Sequence, residues 1–146
     1  MPNVTYTVTG RGVDAARTEI QAGNHQLIVD EPKKLGGGDA GPNPLEYLLA
    51  ALTGCLNVTG WKVAGELGFT VRGISFEVSG TLDPSKFMGR DTDQRAGYHT
   101  IEVHATLDCD ADDETLEQWA RAVEARCPVS DNLGGEATNL HVMPKR

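Results

Sequence analysis

One segment constrains this chain more than any other: an apolar helix predicted from Pro44 to Leu67. Asn43 suits its N-cap and Pro44 its first position, because proline has no N–H to leave unpaired there. Gly68 suits its end. Leu48, Leu52, Cys55, Thr59 and Val63 recur at helical spacing, with Leu45, Leu49, Leu56 and several alanines widening the apolar face. A helix apolar over so much of its circumference must be covered on most sides. A chain of 146 residues has few other elements to cover it. The expectation is a helix buried at the centre of the fold, completed by a homodimer with shared strands.

The flanking sequence reads as strands and shorter helices. Val4 to Thr9 alternates and is β-branched, predicting a strand that ends at Gly10. Ala16 to Ile20 and Gln26 to Val29 predict two more, with Ala22-Gly23-Asn24 as the turn between them. A loop with four glycines and two prolines, Gly36 to Pro44, precludes regular structure and permits close backbone approach. Phe69 to Gly80 and Tyr98 to Leu107 read as long strands separated by Asp83-Pro84 and a polar loop, Gly89 to Arg95. A second helix begins near Asp112 or Asp113, with Leu116, Trp119, Ala120, Val123 and Cys127 on one face. Pro128 interrupts it, a short helix follows to about Leu133, and Ala137 to Met143 reads as a last strand. These elements predict one α+β domain over 1–146, an antiparallel sheet packed on the long central helix, without repeat or linker.

Composition removes several function classes. The formal net charge is −8 with scattered basic residues, which disfavours nucleic acid, whose phosphates need clustered Lys and Arg. The N-terminus lacks a basic region followed by an apolar run, and the longest apolar stretch, Leu45 to Leu56, is too short to cross a bilayer. No membrane partner and a cytoplasmic location are therefore expected. Three cysteines without a close pair suggest neither a disulfide scaffold nor a zinc site, and no histidine stands at ligand spacing from Cys55 or Cys127. No cofactor is called for.

Each cysteine is then either a small core residue or a reactive thiol. Cys55 lies mid-helix on the apolar face. Cys127 precedes Pro128 and so suits the N-cap of the short helix, where orphan N–H groups favour a thiolate. Cys109 lies in Asp108-Cys109-Asp110, where negative neighbours disfavour the anion. Periodicity does not choose between the two readings.

The stretch Leu35-Gly36-Gly37, then Gly41-Pro42-Asn43-Pro44-Leu45-Glu46-Tyr47-Leu48-Leu49-Ala50-Ala51-Leu52 and Cys55, followed much later by Cys127-Pro128-Val129-Ser130-Asp131-Asn132-Leu133, resembles the OsmC/Ohr family of osmotically inducible and organic-hydroperoxide-resistance proteins. The two motifs stand in the family's order and separation, and the order of elements agrees over nearly the whole chain. The resemblance implies an OsmC-like fold, an intertwined homodimer in which both subunits build each active site, and reduction of hydroperoxides. It implies that Cys55 attacks the peroxide and Cys127 resolves the resulting sulfenic acid as a disulfide. An external dithiol, a lipoyl or thioredoxin-like protein, then reopens the bridge.

Apolar surroundings raise a thiol's pKa, so such a mechanism needs a cation. In the organic-peroxide branch that cation is an arginine from the N-terminal strands, held by a glutamate at the start of the long helix. The matching arginine here is Arg17, which without the resemblance reads as a solvated strand charge. The glutamate position corresponds to Leu45, with the carboxylate one residue later at Glu46. One residue turns a helical side chain by about 100°. By itself Glu46 reads as an acid favoured by the helix dipole. Two other classes fit the same residues: a redox sensor that forms the Cys55–Cys127 disulfide with little turnover, and a carrier of a small apolar ligand.

Overall fold

The computed structural model describes residues 1–134 and 138–145. The chain divides into two compact units, 1–48 and 49–146.

The first unit is an antiparallel meander of β1 (Val8–Gly12), β2 (Thr18–Ala22) and β3 (His25–Val29). Its opening hairpin is set by Asp14, whose Oδ1 accepts the N–H groups of Ala16 (2.8 Å) and Arg17 (2.7 Å). Those bonds commit residues 16 and 17 to the turn and align Gly12 with Thr18 and Val8 with Ala22. Residues 4–7 therefore run past the end of β2, and the strand predicted over Val4–Thr9 forms instead at Val8–Gly12. Gly23, at φ 57°, opens the two-residue turn into β3.

Beyond β3 the chain makes one 3-10 turn (Lys33–Leu35) and crosses the glycine-rich loop. Asp30, fully buried, holds that loop by accepting from the N–H groups of Glu31 (2.8 Å), Gly38 (3.1 Å) and Ala40 (3.0 Å). The Ala40 N–H above all keeps its carboxyl below the ordinary range, against the desolvation that opposes it. Gly37 and Gly41 are required here, because a Cβ on either would overlap the carbonyl oxygen of Glu31 or Ile28.

Helix α1 (Pro44–Leu67) has the predicted bounds. Asn43 and Glu46 form a reciprocal capping box: Glu46 N–H donates to Asn43 Oδ1 (2.9 Å) and Asn43 N–H to Glu46 Oε2 (2.8 Å). Tyr47 Oη donates to the Ile28 carbonyl at 2.8 Å, tying the first turn to β3.

In the second unit β4 (Val71–Thr81) pairs antiparallel with β5 (Thr100–Cys109), and β6 (Thr138–Pro144) pairs with β5 in parallel. This corrects the expected antiparallel sheet in two ways: the strands form two separate three-stranded sheets, and the second is mixed. The parallel strand follows because α2 (Asp113–Arg126) and α3 (Pro128–Asn132) carry the chain back before β6 begins. Ala137, where that strand was expected to begin, lies outside the described residues. Asp112 caps α2 by accepting the Thr115 N–H at 2.9 Å.

The inward residues of β5, Ile101, Val103, Ala105 and Leu107, bury completely with Leu52, Leu56 and Val63 of α1 and Leu116, Trp119 and Val123 of α2. The buried face of α1 is thus Leu52, Leu56, Gly60, Val63 and Ala64, rotated from the predicted stripe. Ala51, Gly54, Val58, Trp61 and Gly65 remain exposed, so one chain covers about half of the helix that the sequence placed at the centre. The rotation follows Trp119. Its indole Nε1 donates to the Gly60 carbonyl at 2.8 Å, and its ring lies where a Gly60 Cβ would meet Cζ2 at 2.7 Å. Only glycine lets the two helices approach so closely. Gly60→Ala should destabilise the protein by about 1–3 kcal/mol through overpacking, read as a lower urea midpoint at unchanged slope.

Candidate active site

Cys55 and Cys127 come together. Their sulfurs lie 2.9 Å apart, both thiols are free, and the Cys127 thiol donates to the Cys55 sulfur. A disulfide needs about 2.05 Å, so a small movement of either side chain closes it. Cys55 is half-buried on α1, while Cys127 is 1% exposed between α2 and α3. Pro128 disfavours helical geometry at the residue before it, and Cys127 accordingly is extended (φ −79°, ψ 107°). That break ends α2 and turns the Cys127 side chain into an N-cap, with Ser130 N–H donating to its sulfur at 3.4 Å.

The predicted N-cap position is therefore correct, but its expected electrostatic effect is overridden. Burial, followed by the hydrogen bond to Cys55, pushes the Cys127 thiol up to about 11, and the Ser130 N–H only partly opposes this. A five-residue helix gives little dipole with which to offset desolvation. Cys127 is the partner that keeps its proton, and the Cys55 sulfur accepts its hydrogen bond.

Cys109 is held apart from this pair at the end of β5, where its carbonyl accepts from Arg72 Nη2 at 3.0 Å. Its sulfur makes no hydrogen bond among the described residues. Arg126, next to Cys127, makes a forked contact with Glu66, with Nη2 to Oε1 at 3.0 Å. Arg126 and then Lys62 hold the Glu66 carboxyl down to about 2. This places an ion pair at the end of α2 beside Cys127.

The two charged candidates lie in the first unit. Arg17 Nη2 pairs with Glu19 Oε1 at 3.0 Å, and Arg17 Nε is buried without a partner among the described residues. Glu46 is engaged in the capping box with Asn43 and makes no ion pair among the described residues. Its position is thus that of a helix-capping acid, in keeping with the one-residue shift from the family's register. Two residues were missed. Glu19 was legible in principle, since alternate strand positions share a face. Asp30 was not, because its three N–H partners assemble only when the loop folds. No group of three or more His, Cys, Asp or Glu side chains among the described residues is disposed to hold a metal ion. No helix among them is long and apolar enough to cross a membrane.

The raised Cys127 value has a measurable consequence. The folded chain holds this proton more tightly than the unfolded chain, whose thiol titrates near 9. The linked stability is complete below pH 9 and is lost as pH rises through about 11. In the reduced protein, the stability difference between wild type and Cys127→Ser should therefore shrink over that window, as read by urea unfolding. A difference that stayed flat would contradict the buried, protonated thiol.

Residues 36–142 match the OsmC-like protein family. No curated protein matches the sequence significantly. Among solved structures, an OsmC-like protein from Mycoplasma pneumoniae superposes with a TM-score of 0.81 at 20% identity, covering 99% of this chain and 98% of that one. A Legionella pneumophila protein described as an organic hydroperoxide resistance protein OsmC and predicted redox protein gives 0.72 at 17% identity, covering 100% of both chains. An organic hydroperoxide resistance protein from Elizabethkingia anophelis gives 0.70 at 17% identity, covering 99% and 98%. At such identities the structures establish the shared α+β fold, and the sequence match establishes the lineage: this chain belongs to the OsmC-like protein family.

Proposed function

We propose that this protein is a thiol-dependent peroxidase that reduces organic hydroperoxides in oxidative-stress defence. The observation that carries the reading is the Cys55–Cys127 pair, two free thiols 2.9 Å apart with the proton on the buried partner. The Cys55 thiolate attacks the peroxide oxygen that bears hydrogen. An S–O bond forms, the O–O bond breaks, and two electrons pass from sulfur to the peroxide. The products are Cys55 sulfenic acid and an alkoxide, which takes a proton to leave as the alcohol. Cys127 then attacks the sulfenic sulfur. The S–S bond forms, and the Cys127 proton leaves with the hydroxyl as water. An external dithiol, a lipoyl or thioredoxin-like protein, restores both thiols by exchange.

Arg17 is proposed as the cation that stabilises the thiolate and the developing alkoxide. The pair shares an apolar cluster with Leu52, Leu56 and Val129, which suits an organic rather than a charged peroxide. A thiol pair that must be returned to its reduced form after each turnover suits a reducing compartment, the cytoplasm in this reading.

A second copy of the chain completes the assembly. The stripe Ala51, Gly54, Val58, Trp61 and Gly65 is exposed, with open space beside Gly54 and Gly65 where another helix could approach closely. The unit 1–48 contributes no side chain to the buried apolar core among the described residues. A three-stranded sheet without a core of its own needs cover. Both features support the homodimer. Wild type should sediment as a dimer at micromolar concentration, and Val58→Asp should shift it toward monomer. A stable wild-type monomer would exclude this assembly.

The activity itself is tested by peroxide consumption with a supplied dithiol, using cumene hydroperoxide and hydrogen peroxide. Wild type should turn over with a preference for the organic substrate, and Cys55→Ser should fall to background. Cys127→Ser should complete one turnover and then accumulate sulfinic acid at Cys55. Peptide mapping after one equivalent of oxidant should find Cys55 joined to Cys127 and Cys109 free. A disulfide formed without turnover would instead identify a redox sensor.

A further inference from the structure

Resting on the peroxidase reading, we infer that the reducing dithiol opens the Cys55–Cys127 bridge at the Cys55 sulfur, with Cys127 as the leaving group. Cys55 then reacts twice in each cycle, as the nucleophile toward peroxide and as the electrophile toward the reductant. The mixed disulfide with the reductant forms on Cys55 and never on Cys127.

Access decides between the two sulfurs, because an attacking thiolate must reach the sulfur with which it bonds. Cys127 is 1% exposed, and its own chain encloses it: it lies in the core cluster with Leu52 and Leu56 of α1 and with Trp119 and Val123 of α2. Ser130, whose N–H meets the Cys127 sulfur at 3.4 Å, is itself only 4% exposed. Cys55 is half-buried and packs only partly against the same core. Closing the bridge from 2.9 Å to about 2.05 Å shifts the sulfurs by under about 1 Å, too little to bring Cys127 to the surface. The backbone around it is anchored as well. Trp119 ties α2 to the Gly60 carbonyl at 2.8 Å, and Asn132 Nδ2 donates to the Pro128 carbonyl at 2.7 Å across α3. A second copy of the chain packed on this fold adds cover and removes none, so Cys127 stays closed in the dimer.

The reductant's thiolate attacks Cys55 Sγ. A new S–S bond forms, the Cys55–Cys127 bond breaks, and its electron pair passes to Cys127, which takes a proton from water. The reductant's second thiol, as thiolate, then attacks the reductant's own first sulfur. That step closes the reductant's disulfide and releases Cys55 as thiolate, so two electrons have passed from the dithiol to the bridge. The burial of Cys127 also favours completion. Released beside the mixed disulfide, Cys127 competes to re-form the bridge, but it attacks only as thiolate. Burial, the largest cause of its raised pKa, holds the proton on its sulfur. The reductant's second thiol carries no such handicap.

The test locates the adduct. Diamide forms the bridge without any call on peroxidase activity, 2-mercaptoethanol then opens it, and acid stops exchange by removing thiolate. Peptide mapping should find the mercaptoethanol adduct on Cys55 in about tenfold or greater excess over Cys127. In a Cys109→Ser background, dithiobis(nitrobenzoate) should likewise modify Cys55 in the Cys127→Ser variant about tenfold or more faster than Cys127 in the Cys55→Ser variant. Mapping on the wild type carries the comparison should either variant fold poorly. Adduct chiefly on Cys127, or shared equally, beside normal peroxide turnover would overturn the inference, by showing that α3 opens, and leave the peroxidase standing. Protein that consumed no peroxide, yet gave the Cys55 adduct from the diamide-formed bridge, would retain the inference and remove the peroxidase. Failure of diamide to join Cys55 to Cys127 would remove both.

Discussion

The seating of Trp119 against the backbone of Gly60 is the contact on which the second unit depends. It is a hydrogen bond and a close approach at once: the indole N–H reaches the Gly60 carbonyl at 2.8 Å, and the ring takes the volume a side chain would have filled. Trp119 is completely buried, so the carbonyl it binds has no access to water as an alternative partner. The contact fixes which face of α1 turns inward. It also seats α2 against α1, and Cys127 lies at the end of α2. The 2.9 Å approach of two sulfurs separated by 72 positions follows from that docking, reinforced at the surface by Arg126 on Glu66. Exposed as it is, the ion pair adds modest energy and mainly orientation.

Desolvation then sets two chemically identical thiols apart. Cys127 is enclosed and its proton is retained by burial and by the neighbouring sulfur. Cys55 receives that proton's hydrogen bond and keeps partial access to solvent. In the proposed reaction the nucleophile needs access and the resolving thiol needs only to lie beside the oxidised product, a division that the burial of the two residues suits. The Pro128 break serves the same end. It stops α2 at the residue that must face α1, and the short helix beyond it satisfies the backbone around the Cys127 sulfur without providing a strong dipole.

The first unit is organised by backbone rather than by core. Asp30 spends its carboxylate on three N–H groups, and glycine at 37 and 41 lets the loop pass against the carbonyls of Glu31 and Ile28. Asn43 and Glu46 then start α1, and Tyr47 anchors it to β3. Charges around the β1–β2 hairpin are likewise satisfied locally, Arg11 and Arg17 on the two oxygens of Glu19.

What the sequence determined by itself was whatever depends on neighbours along the chain. Asn43-Pro44 and Gly68 bounded α1 correctly because caps and φ restrictions are local, and Pro128 marked the end of α2 for the same reason. The two cysteine motifs carried the family. Tertiary structure decided the rest. The parallel placement of β6, the start of β1 at Val8, and the inward face of α1 each depend on which element packs or pairs opposite, and periodicity on an almost wholly apolar helix cannot select a face. The charge states followed the same division. An N-cap is visible in sequence, but the burial that overrides it at Cys127 is not. Glu46 carried an acid at a plausible place, yet its hydrogen bonds went to Asn43, while Arg17 took the carboxylate of Glu19 on the strand that follows it. Distances of 3 Å between side chains are set by packing, and packing is a property of the folded chain alone.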